Sequence, residues 1–153
     1  LLHERAGVGA VLAEDKSSAE SVLEAFNGLK ARAIVQEYIE EAEGSDIRIM
    51  VLGDQVIGAV KRFKKNRDFQ SSQSTRKKSI PINLSDKEIE VAIKAAKVVD
   101  LGFACVDIIR SNRGPLVLKI NGSPGLKQIE SVANINVAEK LVLHIENTVN
   151  HGE

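Results

Sequence analysis

The chain has 153 residues, of which 43% are hydrophobic, and it carries 21 Lys plus Arg against 21 Asp plus Glu. This length and apolar content suit one domain or part of a larger one and argue against global disorder, while the zero net charge argues against a surface built throughout for nucleic acid or anionic membrane. The single Cys excludes an intramolecular disulfide and a Cys-rich zinc site and fits a reducing cytoplasm, and no apolar run approaches the about 20 residues of a membrane helix.

The N-terminal part predicts two strands with a helix between them. Because the chain begins at Leu1, without Met, we expect an N-terminal portion of a longer protein to precede it. Residues 8–13 predict a strand after a Gly turn. Residues 17–20 (SSAE) predict a capping box with Ser17 as the cap, followed by a helix that ends near Gly28. The β-rich residues 33–39 predict the second strand.

The middle of the chain predicts a hairpin followed by a basic loop. Residues 46–52 and 55–62 flank Gly53-Asp54, a two-residue connection that suits a tight hairpin. Residues 64–79 are basic and rich in Ser and Gln, which predicts a mobile loop or a poorly ordered insert. The cations between Lys61 and Lys78 allow contact with polyphosphate, nucleic acid or an acidic protein tail, and a solvated loop is the plainer alternative.

The C-terminal half predicts a helix, a second hairpin and a final helix. A capping box at residues 85–88 (SDKE) begins the first helix. Strands over residues 103–109 and 115–120 are joined by a turn, and helical spacing returns over residues 137–149. Hairpins mixed with helices, without an internal repeat, predict an α+β fold.

Asp107 and Asn121 form the first candidate site. In a hairpin that turns at residues 111–114, Asp107 comes opposite, or nearly opposite, residues 119–121. Two oxygen donors there would suit Mg²⁺, which needs few protein ligands when phosphates supply the others. The alternative is structural: Asp107 is then a solvated strand residue and Asn121 only shapes a turn.

Three further segments allow weaker interpretations. Residues 36–39 (QEYI) end a predicted strand, where free backbone groups can pair with an adenine edge, or they form an ordinary passage from strand to loop. Gly7 and Gly9 allow close approach of backbone N–H groups to a phosphate, although short Gly pairs are frequent in turns. Cys105 lies in an apolar strand and is predicted to be a core residue rather than a nucleophile.

In their order and spacing, several segments resemble the RimK-type ATP-grasp ligases: GVGAVLAE, VQEYIEEAEGSDIR, FQSS and FACVDIIRSNRGPLVLKINGSPGL. The family joins glutamate or a related amino acid to a peptide, protein or small-molecule acceptor. The resemblance implies the C-terminal part of an ATP-grasp fold, an antiparallel sheet packed with helices. Residues 1–39 would then complete the first lobe and the hinge, and residues 40–153 would form the second lobe.

The resemblance also implies substrates and site residues. ATP with Mg²⁺ or Mn²⁺ would serve a two-step reaction through an acyl phosphate. The protein would act in the cytoplasm without a membrane partner, and the resemblance leaves open whether it forms a homo-oligomer. The implied roles are adenine pairing at the hinge, nucleotide contact near the ribose, phosphate contact in the basic loop and metal ligation, with Arg48 as a catalytic candidate. Glu37 and Tyr38 would pair with adenine, and Asp46 would contact the nucleotide near the ribose. Gln70, Ser71 and Ser72 would contact phosphate, and Asp107 and Asn121 would ligate the metal ion.

Two positions depart from the family pattern. Lys119 stands where the family has a Glu that bridges two metal ions, and Gln70 stands where it has a phosphate-facing Arg. An ammonium beside a divalent ion is strongly unfavourable, at about 4 kcal/mol per unit charge pair at ~4 Å and an effective dielectric near 20. The alternative function is therefore a degenerate, non-catalytic ATP-grasp relative that binds a nucleotide or a protein partner.

Overall fold

The computed structural model describes residues 11–63 and 78–150 of the chain. They fall into two compact units, one containing residues 11–38 and the other containing Ile39–Phe63 with residues 78–150. Within these ranges, no helix has the length and apolarity needed to span a bilayer.

The first unit contains helix α1, Lys16–Gly28, which ends where the sequence predicted. The prediction that Ser17 caps this helix is wrong, because the Asp15 carboxylate accepts a hydrogen bond from the Ser18 backbone N–H at 2.7 Å. A charged carboxylate is the stronger acceptor at the positive end of a helix. The predicted strand over residues 33–39 is also wrong: this segment is irregular, and Ile34 is 74% exposed. Its β-rich composition gains nothing without a neighbouring strand to pair with.

The second unit is built on one five-stranded antiparallel sheet in the order β3-β2-β1-β4-β5. Both predicted hairpins are confirmed, the first turning at Gly53-Asp54 and the second at Asn112-Arg113. The end of the predicted loop, residues 78 and 79, belongs instead to a short edge strand paired with β2. The strands are β1 Ser45–Leu52, β2 Gln55–Phe63, β3 Lys78–Pro81, β4 Phe103–Ser111 and β5 Gly114–Asn121.

Three helices accompany the sheet, and a short 3₁₀ turn, Glu40–Ala42, precedes it. Helix α2, Asp86–Val98, begins at the predicted capping box: the Ser85 hydroxyl accepts from the Glu88 N–H, and the Glu88 carboxylate accepts from the Ser85 N–H at 2.8 Å. Helix α4, Val137–Asn150, confirms the predicted C-terminal helix. Helix α3, Lys127–Ala133, was not predicted, because its seven residues are too few to show helical periodicity.

The sheet buries apolar side chains on both faces, which confirms the predicted α+β layering. The first face packs against Ala92 and Ala96 of helix α2, small residues that allow close approach of the helix. The second face packs against Ile129 of α3 and Val137 of α4. Each fully buried aliphatic side chain contributes about 1.5–3 kcal/mol, so the two layers stabilise the sheet from both sides. The first face contributes Ile47, Ile49, Val51, Ala104, Val106 and Ile108, and the second contributes Met50, Val60 and Cys105.

Candidate functional site

The second face of the sheet changes from apolar to charged along its strands. Alternation places Met50 and Arg48 of β1 on the same face, and likewise Cys105 and Asp107 of β4. The apolar members of these pairs are fully buried beneath helices α3 and α4. Beyond the apolar layer, four charged side chains of this face form one network, here called the charged cluster: Asp46, Arg48, Arg62 and Asp107.

The charged cluster is a continuous network of hydrogen-bonded ion pairs. Arg48 donates from Nε and Nη2 to the two oxygens of Asp107, each at 2.8 Å. Arg62 donates from Nη2 to Asp107 at 2.8 Å and holds Asp46 with two further bonds of 2.6 Å. Such forked contacts are typical of Arg with carboxylates. The side chains of Arg62 and Asp107 are only 6% and 5% exposed, so the centre of the network is shielded from water.

The surroundings of Asp107 keep it ionised. Burial works to raise the pKa of the Asp107 carboxyl, while the hydrogen bond from Arg48 and the charges of Arg62 and Arg48 lower it. The net direction is downward. Conversely, the hydrogen bond to Asp107 raises the pKa of Arg48 against the effect of its own burial. Asp107 is therefore a carboxylate at neutral pH, and the interpretation of it as a solvated strand residue is wrong.

A β-bulge decides which residues of β5 share the face of Asp107. Near the turn Ile108 pairs with Val117, but Asp107 pairs with Lys119, so Leu118 is an extra residue in β5. Without the bulge, Asp107 would face Leu118 and the following side chains would all turn to the other face. With it, Lys119 lies directly opposite Asp107. The prediction that Asp107 comes opposite residues 119–121 is confirmed.

Asn121 lies on the same face as Asp107, because it pairs with Cys105 two residues away on β4. Its side-chain oxygen accepts a hydrogen bond from the Ser123 backbone N–H at 3.0 Å. Asn121 thus shapes the turn after β5, as the structural alternative proposed, while it keeps acceptor capacity on its second lone pair.

Lys119 is exposed, and it forms no ion pair with any carboxylate in residues 11–63 and 78–150. Together with the charged cluster it brings three cationic side chains against two carboxylates, which leaves one net positive charge on this part of the face. The described part of the chain also contains no group of three or more His, Cys, Asp or Glu residues able to hold a metal ion. This donor set does not fit a resident pair of divalent ions.

The other predicted site residues lie elsewhere. Glu37 and Tyr38 are in the irregular segment of the first unit, and Tyr38 is 46% exposed. Their role at an adenine edge stays a prediction. Gln70, Ser71 and Ser72 lie outside the described residues, as do Gly7 and Gly9 and most of the basic loop.

Arg62 is the functional candidate that sequence reasoning missed. A hairpin turning at Gly53-Asp54 without irregularity would place Lys61 opposite Asp46. A bulge between the pairs Met50–Gly58 and Val51–Val56 moves Arg62 into that position. Gly58 was the available signal, because Gly inside a strand often marks a bulge or a close approach. A Cβ at Gly58 would stand 2.5 Å from Ile135 Cδ1, so the close approach is real.

Solved structures of ligases share this fold. D-alanine–D-alanine ligase from Bacillus anthracis aligns with 94% of this chain and 51% of its own, with a TM-score of 0.64 and 18% identity, which supports the fold alone. The ATP-grasp ligase PsnB, complexed with a minimal precursor, aligns with 71% of this chain and 36% of its own, at a TM-score of 0.56 and 28% identity. The described architecture is an ATP-grasp fold.

Sequence comparison identifies the family of ATP-grasp proteins to which the chain belongs. A family model of the RimK-like ATP-grasp domain matches residues 1–145. Ribosomal protein bS6–L-glutamate ligase of Escherichia coli (strain K12 / DH10B) is 48% identical over 140 residues, which are 92% of this chain and 47% of that protein. The chain belongs to the RimK-like ATP-grasp family, and it spans about half the length of the curated relatives it matches.

Proposed function

We propose that the complete protein is an ATP-dependent carboxylate–amine ligase that adds glutamate or a related amino acid to an acceptor. The observation that carries the proposal is the 48% identity to ribosomal protein bS6–L-glutamate ligase across 92% of this chain. A protein or peptide acceptor follows from that likeness more directly than a small molecule does. A cytoplasmic location goes with it, since ATP and a ribosomal-protein acceptor are both available there.

The proposed reaction has two steps. A substrate carboxylate attacks the γ-phosphorus of ATP, so that an acyl phosphate forms and ADP leaves. The amine of the second substrate then attacks the acyl carbon, the C–N bond forms, and inorganic phosphate and a proton leave. Little covalent work falls to the protein in phosphoryl transfer, where positioning and stabilisation of developing charge dominate. The cationic excess of the charged face suits that task.

Nucleotide binding is assigned by residue, as part of the proposal. Residues 1–39 complete the first lobe and hinge, where Glu37 and Tyr38 pair with adenine mainly through backbone groups. Asp46 contacts the ribose region. Residues 70–72 contact phosphate from the basic loop, and residues 40–153 form the second lobe.

We assign Asp107 and Asn121 as oxygen ligands of a single Mg²⁺ or Mn²⁺ that is shared with the phosphates of ATP. Their position on one face of the hairpin supports this assignment, as does the ionised state of Asp107. Three hydrogen bonds from arginines already occupy most of the roughly four lone-pair positions of a carboxylate, so Asp107 has room for one ion at most. Such an ion neutralises phosphate charge when it is bound.

The test is glutamate incorporation by the complete protein. It would be incubated with ATP, MgCl₂, glutamate and peptides that together cover bS6, and the peptide masses and inorganic phosphate would be followed. The proposal predicts a peptide heavier by one or more glutamyl residues, with phosphate released in step. Binding of ATP without any amino-acid-dependent phosphate release, across glutamate and its analogues, would contradict it.

That negative result would instead support a second candidate, a non-catalytic relative that binds a nucleotide or a protein partner. Its specific support is Lys119, an ammonium directly opposite Asp107 where a carboxylate would help to hold metal. A Lys119→Glu variant distinguishes the two candidates. Ligase activity that appears only in this variant favours the non-catalytic reading of the natural sequence.

A further inference from the structure

Lys119 is the one charged side chain of this face that the charged cluster leaves without a role among the described residues. It lies directly opposite Asp107, but the Asp107 carboxylate is already held by Arg48 and Arg62 through three hydrogen bonds. The Lys119 ammonium is therefore not needed to neutralise Asp107. It stays exposed at the border of a buried charged network.

The charges around Lys119 favour a polyanion. The charged cluster alone is neutral, with two guanidinium groups against two carboxylates, and Lys119 adds a positive charge that is mobile on a four-carbon stem. A lysine ammonium binds phosphate as a compact point charge. The bulge at Leu118 aims this charge at the same face as Asp107 and Asn121, where the proposed function puts the phosphates of ATP.

We propose that Lys119 is a phosphate-binding residue that neutralises charge on the phosphates of ATP, so that ATP still binds when Mg²⁺ is absent. The inference rests on the proposed function, and it concerns how that site binds its nucleotide. An ammonium on the face that Asp107 and Asn121 share supplies positive charge beside the single ion of the proposed function.

Calorimetric titration of the complete protein with ATP, in excess MgCl₂ and in excess EDTA, tests the proposal. The natural protein should still bind ATP in EDTA, because the Lys119 ammonium neutralises phosphate charge there without an ion. Lys119→Met keeps the length of the side chain without the charge and should weaken ATP binding in EDTA about tenfold, which corresponds to about 1.4 kcal/mol. Lys119→Glu should bind ATP only in MgCl₂, because a carboxylate repels bare phosphate and attracts the ion.

Two controls separate a phosphate contact from a structural effect. Lys94→Met removes an exposed ammonium from helix α2, which packs on the opposite face, and should leave both Kd values unchanged. AMP lacks the β- and γ-phosphates, so Lys119→Met should weaken ATP binding more than AMP binding. An equal loss for both nucleotides, or ATP binding unchanged in Lys119→Met, overturns the assignment of Lys119. Failure of every form to bind ATP contradicts the proposed function itself.

Discussion

Replacing Asp107 with Asn tests whether the charged cluster stabilises the sheet as well as preparing a site. The substitution preserves the shape of the side chain but removes its charge and one acceptor oxygen. Arg62 would keep its two bonds to Asp46, whereas Arg48 would lose the carboxylate that accepts both of its bonds. Arg48 is only 18% exposed at its side chain, so water cannot fully replace the lost partner.

The magnitude follows from burial. Removing one partner of a buried ion pair typically costs about 3–5 kcal/mol, because the other charge is left uncompensated. The lower end applies here, since Asn keeps one acceptor and Arg62 keeps Asp46. We expect a loss of about 3 kcal/mol, a large fraction of the roughly 5–15 kcal/mol that stabilises a typical domain.

Hydrogen exchange measured by mass spectrometry reports this loss locally in the complete protein. Backbone amides of β1 and β4 that exchange through unfolding of the sheet should exchange about 10²-fold faster in Asp107→Asn, since each 1.4 kcal/mol is a factor of ten. The peptides to follow cover Ser45–Leu52 and Phe103–Ser111.

Asp54→Asn is the matched control. Asp54 forms an ion pair with Lys97 at 2.6 Å, shorter than the 2.8 Å pairs of Asp107, but the two side chains are 77% and 58% exposed. An exposed pair of this kind contributes about 0–1 kcal/mol, so exchange should rise no more than about fivefold. Equal acceleration in the two variants would show that burial does not give the Asp107 network its strength.

Three further predictions follow from single features of the second unit. Because the folded-state pKa of Asp107 lies below its ordinary value of about 3.9, its stabilising contribution is complete above about pH 4 and is lost as the pH falls through the folded pKa. In an acid titration followed by circular dichroism, the loss of stability with falling pH should therefore be shallower in Asp107→Asn than in the natural protein. An identical loss in the two proteins would count against the pairing of Asp107 with the arginines. Ser85→Ala removes one half of the capping box and should lower the free energy of unfolding by about 1 kcal/mol in chemical denaturation. An unchanged free energy of unfolding would show that the cap does not stabilise the helix. Burial raises the pKa of the Cys105 thiol to about 11, so iodoacetamide should label it at pH 8 only after unfolding, and rapid labelling of the native protein would contradict its core position.

The features that the sequence predicted are those that short-range chemistry determines. Gly53-Asp54 specifies a tight turn, and Ser85 with Glu88 specifies a helix start, because every interacting atom lies within a few residues. The strand expected over residues 33–39 failed for the opposite reason. Its composition suits a sheet, but a strand exists only where a partner pairs with it.

The charged cluster was only partly predictable, because two single-residue bulges assemble it. Turn-based register would have paired Asp46 with Lys61 and Asp107 with Leu118. The bulges replace these partners with Arg62 and Lys119 and so bring the charges to one face. A bulge is a compromise between twist, packing and pairing along the whole sheet, and no local sequence rule specifies its position.

The charged second face of the sheet is proposed to bind the phosphates of a nucleotide. A crystal structure of the complete protein with a non-hydrolysable ATP analogue measures this most directly. We predict that its phosphates lie over β4 and β5, with the Lys119 ammonium in hydrogen-bonding contact with a phosphate oxygen and with Asp107 still held by Arg48. An analogue bound away from this face, with the Lys119 side chain in solvent, would contradict the claim.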